Sequence, residues 1–433
     1  MTTAQTHPEN TQLPPPTNPS ATRPALWDRR FALYFTARAV SLVGDAMMPV
    51  AAALAVGAVY GVSGVGLVLG VWTGTFVLLV LFGGVFSDRF GARRMMVGAD
   101  LVRVLTQGVL AAAFFAGTPP FWLLVSMAAL AGAAVAMFLP GVNGMVPLVT
   151  REPQRANATL KVADALAQLT GPALAGGLIT LTGAGTVYAI DAGTFVLSAL
   201  CLALIPLLPR AAEPTGSRAH SGSSLRRELR QGWLEFRART WMWAVILIWM
   251  VYGVLLFGPL VPLASTVISA RHGSNAYGLA VSFLGVGTVI GGLLALRLRP
   301  ARPLAAGAAA MTLYTVLPLC VALGADLPVL LAGHAVAGAA WAFWSVMWAT
   351  SVQTHTPPPV LNRVTAYEQA GSVSGMAVGQ ILAGPAAALV APDHLLLVSA
   401  GACLAGCAAL FSIPAIRTLR RTAPTGGEAA VGK

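Results

Sequence analysis

The sequence predicts an all-α polytopic membrane protein with twelve transmembrane helices in two pseudo-symmetric six-helix bundles. Three observations carry that prediction. Of the 433 residues, 56% are hydrophobic and only 10% charged, with a mean hydropathy of +0.74, too apolar for a soluble chain of this length. Apolar runs of roughly 20 residues, each able to cross a hydrocarbon core about 30 Å thick, alternate with short charged or Gly/Pro-rich segments. The second half also repeats the first at a constant offset of 208 residues: Gly83 and Gly84 match Gly291 and Gly292, Arg89 matches Arg297, Arg94 matches Arg302, Arg155 matches Arg363, Gly171 matches Gly379, Gly176 matches Gly384, and Pro206 matches Pro414. Six spans per repeat is an even number, so both halves enter the membrane in the same sense, related by an axis along its normal.

In chain order, residues 1–26 are rich in Pro, Thr and Asn and lack the basic start, apolar stretch and small-residue cleavage site of a signal peptide, which predicts a disordered cytoplasmic tail. Spans are expected at 31–57, 62–83, 95–117, 120–143, 159–182 and 186–208, then 240–267, 275–296, 303–324, 328–351, 364–391 and 394–414. These give an N-terminal bundle over 27–208, a linker over 209–239, a C-terminal bundle over 240–414 and a second tail over 415–433. The linker starts with Pro214, Gly216 and Gly222, and then sets Leu225, Leu229, Trp233 and Phe236 at helical spacing against Arg226, Arg227, Arg230 and Arg237. That pattern fits a helix lying at the membrane interface or a solvated linker helix.

Charge orients the chain. With the N-terminus inside, every basic residue outside a span except Arg271 falls on one side, so the bias of cytoplasmic loops toward Arg and Lys places both termini in the cytoplasm and the protein in the cell membrane. The net charge of +12 is spread between apolar runs and not gathered on one face, so nucleic acid is not an expected partner. No phosphate loop, zinc-helix motif or serine elbow is found, which excludes an ATP-driven pump within this chain and gives no reason to expect an enzyme or a cofactor. Cys201, Cys320, Cys403 and Cys407 all fall inside apolar runs, so neither disulfides nor a metal site are expected.

Gly83 to Arg94 reads G-G-V-F-S-D-R-F-G-A-R-R, a short polar hairpin between two apolar runs, whose glycines permit close backbone approach. It resembles the signature G-x-x-x-D-R-x-G-R-R that joins helices 2 and 3 in the major facilitator superfamily. Gly84, Asp88, Arg89, Gly91 and Arg93 fill the pattern, with Ala92 at the first position of the closing pair and Arg94 supplying the second arginine one step late. The repeat of this loop places Leu296 opposite Asp88, so its carboxylate acts in one half only. The resemblance implies the major facilitator fold and a latch in which Asp88 meets the start of helix 11. In span 5, Gly171, Pro172, Gly176 and Gly177 resemble the antiporter motif of drug-proton exporters, with Ala175 in place of one glycine. Small residues there form a groove for a neighbouring helix, and Pro172 frees a backbone carbonyl. Packing alone accounts for the same residues. R-A-V-S-L-V-G-D in span 1, D-L-V-R in span 3 and Q-R-A-N-A before span 5 are similar to bacterial exporters of the enterobactin and macrolide-efflux kind.

Charges within a bilayer are costly and mark function by default. Arg38, Asp100 and Arg103 lie near the cytoplasmic ends of spans 1 and 3, at depths that allow a structural Arg38–Asp100 ion pair. Asp45 lies near the midplane with no basic residue on its own helix nearer than Arg38, which makes it the candidate for proton coupling, with a hydrogen-bonded structural acid as the alternative. Asp164, Glu368 and Asp191 read as interfacial or helix-terminal acids. In span 10, Trp341 and Trp344 are candidates for the wall of a substrate cavity, with packing as the alternative, and His334 reads as a core histidine. The resulting expectation is a secondary active transporter working by alternating access, most simply a proton-coupled exporter of a small amphipathic compound. A metabolite importer or facilitator, and a non-transporting membrane sensor, are the alternatives. The expected partners are a small-molecule substrate, protons and the lipid bilayer, with the protein acting as a monomer.

Overall fold

A computed structural model describes residues 27–206, 237–298, 300–356 and 358–420, with the side chains at 81, 83–85, 87–88, 143 and 358–370 outside the description. The N-terminal tail, residues 421–433 of the C-terminal tail and residues 225–236 of the linker also fall outside the described residues. All of the regular secondary structure among the described residues is helical.

Eleven helices are long and apolar enough to cross a membrane, but the first of them, at 52 residues, is too long for one crossing. It breaks at Gly61, whose φ of 60° and ψ of −162° belong to glycine conformational space, so two helices leave this point. The spans are therefore α1 (29–60), α2 (62–90), α3 (Ala92–Ala116), α4 (Phe121–Val149), α5 (Pro153–Thr182) and α6 (Ala184–Leu204). The second set is α7 (Thr240–His272), α8 (Ser274–Arg297), α9 (Pro303–Ala322), α10 (Leu327–His355), α11 (Pro358–Leu389) and α12 (Pro392–Ser412). Twelve crossings agree with the sequence count.

Glycines with positive φ mark the turns. Among the described residues, Gly61, Gly117, Gly183, Gly273 and Gly324 lie at one end of the molecule, and Gly91 alone lies at the other. These are called the Gly61 end and the Gly91 end below. The hairpin expected over 83–94 is much shorter than the sequence suggested: α2 stays helical to Phe90 and α3 starts at Ala92, with only Gly91, at φ 86°, outside helical geometry. The segment 85–90 contains no residue that breaks a helix, so the reversal falls on the one glycine that can take positive φ.

Helices α1 and α2 pack on α4, α5 and α6, and α3 packs on α4 and α6; in the second set α8 packs on α10, and α7 on α11. The bundles meet along α2 with α11, α5 with α8, and α1 with α7. The named close approaches run from the Gly61 end to mid-membrane: Gly384 against Ser63, Gly66 against the Gln380 carbonyl, Gly70 against that of Ala377, Gly278 against Pro172, and Gly285 against Gln168. Helix α7 departs from α geometry over Gly253–Phe257, where a π turn widens the coil. Gly253, Gly375 and Gly379 bring α7 and α11 into backbone contact there, and a π turn of this kind often marks a functional site.

Candidate functional site

A cavity of about 1080 Å³ lies between the bundles. Its walls come mostly from the C-terminal bundle: Trp249 and Phe257 of α7, Tyr314 of α9, and Trp341, Trp344 and Trp348 of α10. Trp249 stacks on Trp344 with ring centroids 4.6 Å apart and planes 18° apart, and Trp344 stacks on Trp348 at 6.2 Å. Phe257 meets Trp341 edge-on at 5.2 Å and Tyr314 at 5.5 Å. Such a wall suits flat apolar groups, since offset and edge-to-face pairs gain about 0.5–1.5 kcal/mol beyond area burial. Both sequence candidates, Trp341 and Trp344, lie in it, Trp344 deeply buried and Trp341 half-buried. His334 also lines the cavity and is buried, with Nδ1–H donating to the Leu330 carbonyl at 2.8 Å.

The N-terminal bundle contributes Pro49 and Val50 at depth and Lys161 near the Gly91 end, where Gln353 of α10 faces it. Lys161 is 84% exposed. The close approaches between bundles close the cavity toward the Gly61 end, and its lining extends to Lys161 and Gln353 toward the Gly91 end.

One turn before Pro49 on α1, Asp45 begins a second, charged site. Arg103 of α3 lies with Nη1 3.7 Å from Asp45 Oδ2 and 3.6 Å from Asp100 Oδ1. These separations are ion-pair contacts, longer than direct hydrogen bonds, so a small shift favours either carboxylate. Asp100 is fully buried and accepts a 2.7 Å hydrogen bond from Ser198 on α6, whereas the Asp45 side chain is 36% exposed. The Arg103 guanidinium also sits 4.4 Å from the Phe138 ring centroid and 4.9 Å from that of Phe195, cation–π contacts that hold it between the helices. Arg38 stacks on Phe138 at 5.2 Å and acts on Asp100 only at longer range. Thus Arg103, and not Arg38, is the direct partner of Asp100, and the same arginine reaches Asp45, which sequence spacing left without a partner.

Asp191 departs from its expected interfacial place. It is fully buried two turns into α6, packed against Gly44 beside Asp45, and within electrostatic reach of Asp45 and Arg103. At the 208-residue offset, Asp45, Asp100, Arg103 and Asp191 become Gly253, Ala308, Met311 and Ser399, so the charged site has a neutral counterpart in the other bundle. Trp249 of α7 is the other residue that sequence reading passed over. Gly44 was the available signal for Asp191, because a glycine beside an intramembrane acid leaves room for a side chain from another helix.

The Gly-Pro run of α5 sits in the seam between bundles. A Cβ at Gly278 of α8 would stand 2.6 Å from the Pro172 carbonyl oxygen and 3.0 Å from Gly176 Cα, and one at Gly285 would stand 2.9 Å from the Gln168 carbonyl, the one Pro172 leaves free. Ala173 N–H donates to Ser282 Oγ at 2.9 Å across the seam, and Thr180 Oγ1 donates to Asn275 Oδ1 at 2.7 Å. Gly171 packs on Ala46 of α1, while Gly177 faces no neighbour within 4 Å among the described residues. At the Gly91 end, Arg93 donates to the carbonyls of Ala203 and Ile205, closing the C-terminus of α6, and Arg89 and Arg94 are exposed. The side chains at positions 84 and 88 lie outside the description, and so do those at the start of α11, 358–370, that the latch would meet.

A family model described as Major Facilitator Superfamily matches residues 34–380. Macrolide efflux protein A of Streptococcus pyogenes is 23% identical over 276 residues, which cover 62% of this chain and 66% of the relative, so the chain spans about two thirds of the length of that relative. Enterobactin exporter EntS of Salmonella paratyphi A is 26% identical over 423 residues, covering 91% of this chain and 94% of the exporter. Among solved structures, nucleoside transporter NupG superposes with a TM-score of 0.68 at 12% identity over 88% of this chain and 98% of the other, a likeness of fold.

Proposed function

The chain belongs to the Major Facilitator Superfamily and is a multi-pass membrane transporter, not an enzyme; on that premise we propose that it exports a small amphipathic compound in exchange for protons. The observation that carries this reading is the division of labour between bundles. One offers an aromatic cavity, and the other a buried arginine shared between a sealed carboxylate, Asp100, and a partly exposed one, Asp45. Export is favoured by the efflux relatives, and by the Gly-Pro run at the seam, which closes one face of the membrane by direct backbone contact.

In the proposed cycle, Asp45 takes up a proton when the cavity opens to the outside. Its hold on Arg103 then weakens and the seam can close. Opening at the Gly91 end, assigned to the cytoplasm with both termini, lets the proton leave. The Asp45 carboxylate then pairs with Arg103 again and favours entry of a cationic or hydrogen-bond-donating cargo against the tryptophan wall. Asp88 acts as the latch that the resembled signature implies, since a carboxylate at a helix start contributes about 0.3–1 kcal/mol and would do so only when the bundles meet at that end. The protein works as a monomer in the cell membrane, because the cavity and the charged site are complete within one chain.

The test is flux in proteoliposomes, using a compound first selected because it raises the unfolding temperature of the purified protein. Wild type is expected to concentrate that compound only when a pH gradient is imposed, and well-folded Asp45→Asn to lose this dependence. If Asp45→Asn still concentrates it against its gradient when driven by protons, Asp45 is not the coupling residue.

A further inference from the structure

Asp191 has no role in the cycle just described, yet it is the most deeply sealed acid near the charged site. It is 0% exposed, and its Oδ2 is buried with no hydrogen-bond partner among the described residues. Oδ1 lies 3.4 Å from Thr194 Oγ1 and fills the place a Cβ would take at Gly44, so substitution of that glycine would displace the carboxyl. The titratable and polar groups that act on it are Asp45 from α1, Arg103 from α3, and Tyr188 and Thr194 from its own helix, while Arg38 and Ser198 act on Asp100 instead. Among the described residues, the one guanidinium close by is already placed between Asp45 and Asp100. Three carboxyl groups thus surround Arg103, and one of them must do without a counter-ion.

We propose that Asp191 is a second proton-binding carboxyl, sealed behind Asp45, and that the two hold one proton between them according to which of them Arg103 pairs with. The inference rests on the reading of Asp45 as an exchangeable acid. A fully buried carboxylate without a counter-ion is strongly disfavoured against its neutral acid. While Asp45 is ionised and holds the guanidinium, the proton therefore resides on Asp191 Oδ2, the oxygen with no other partner. When Asp45 takes up a proton from the cavity, Arg103 is released toward Asp191. The O–H bond of Asp191 then breaks, its electron pair stays on Oδ2, and its proton is relayed through protonated Asp45, which takes it on one carboxyl oxygen as it releases its own from the other to the cavity. No oxidation state changes, and one proton is bound before and after the exchange. Asp100 takes no part, because it keeps its own partners, the hydrogen bond from Ser198 and the contact with Arg103.

The test is infrared spectroscopy of the purified full-length protein at neutral pH, reading the carbonyl stretch of protonated carboxyl groups, with slow exchange into heavy water selecting the sealed ones. Wild type is expected to show such a band and Asp191→Asn to lose it. Asp45→Asn, which mimics the protonated acid and frees Arg103 for Asp191, should lose most of it as well, although Asp191 is still present. A band kept in full in Asp45→Asn would overturn the shared proton and leave Asp191 a structural acid. A wild type without the band would overturn the proposal outright. A band lost when sodium chloride replaces choline chloride would also overturn it, by making the site a sodium site. Should Asp191→Asn not fold, the Asp45→Asn comparison still decides. If these bands behave as expected while vesicles show no proton-driven flux, the transport reading fails and the shared proton stands.

Discussion

Gly278→Ala is the sharpest probe of the seam. The added methyl would stand 2.6 Å from the Pro172 carbonyl oxygen and 3.0 Å from Gly176 Cα, and both neighbours are backbone atoms that cannot turn aside as a side-chain tip would. Overpacking of this kind costs about 1–3 kcal/mol. The cost falls only on the conformation in which α5 and α8 touch, because parting the bundles at the Gly61 end removes the neighbours. The equilibrium should therefore move toward the opposite conformation by about 5- to 150-fold. If that state is initially about one molecule in a hundred, it should rise to between about one in twenty and a majority. Electron–electron distance measurement between nitroxides at Thr182 and Leu323, both exposed near the Gly61 end, would read this as growth of a longer distance. The four native cysteines would be replaced first. A folded Gly278→Ala protein with an unchanged distance distribution would refute the reasoning, since it would mean that the seam closes without needing that contact.

Arg103→Gln should lower stability by about 3–5 kcal/mol, because it leaves Asp100 buried without its counter-ion, and adding Asp100→Asn should recover part of that loss in denaturant unfolding. Strictly additive losses would show that the pair is not coupled. Trp344→Ala, at a position 2% exposed, should cost about 3–5 kcal/mol of stability, whereas Trp341→Ala, half-buried in the wall, should chiefly weaken ligand-induced thermal shifts. Equal effects of the two on both readouts would argue against a cavity role for Trp341. Single cysteines at Ser274 and Gln154 should react with an impermeant maleimide from opposite sides of the membrane, Ser274 from outside; labelling from one side would overturn the orientation.

The twelve spans were legible because length and hydropathy alone specify a bilayer crossing, and the break expected between the first two spans, over 58–61, falls on Gly61. The Gly-Pro run was legible as a surface for a neighbour, though not which neighbour, since spacing describes one helix and contact involves two. The charged site shows the same limit more strongly. Depth put Arg38 beside Asp100, but depth carries no angle, and the rotation of α3 brings Arg103 to Asp45 and Asp100 instead. Asp191 was misplaced because its distance from the end of its span suggested an interface, while packing against Gly44 draws it inward. The loop over 83–94 misled in the other direction: polar residues suggested irregular chain, yet polarity does not unwind a helix, and α2 continues through Gly83 and Gly84 to Phe90.

The tryptophan wall has an optical consequence. Trp249, Trp341, Trp344 and Trp348, four of the ten indoles in the chain, share one cavity, with stacked centroids between 4.6 and 6.5 Å apart. At such separations the electronic transitions of neighbouring rings couple, and the near-ultraviolet circular dichroism of the whole protein should be dominated by this one group of chromophores. A molecule that settles against the wall perturbs the coupling directly, so the unlabelled protein carries its own spectroscopic gauge of occupancy, and a compound collection can be searched for cargo by watching the signal change.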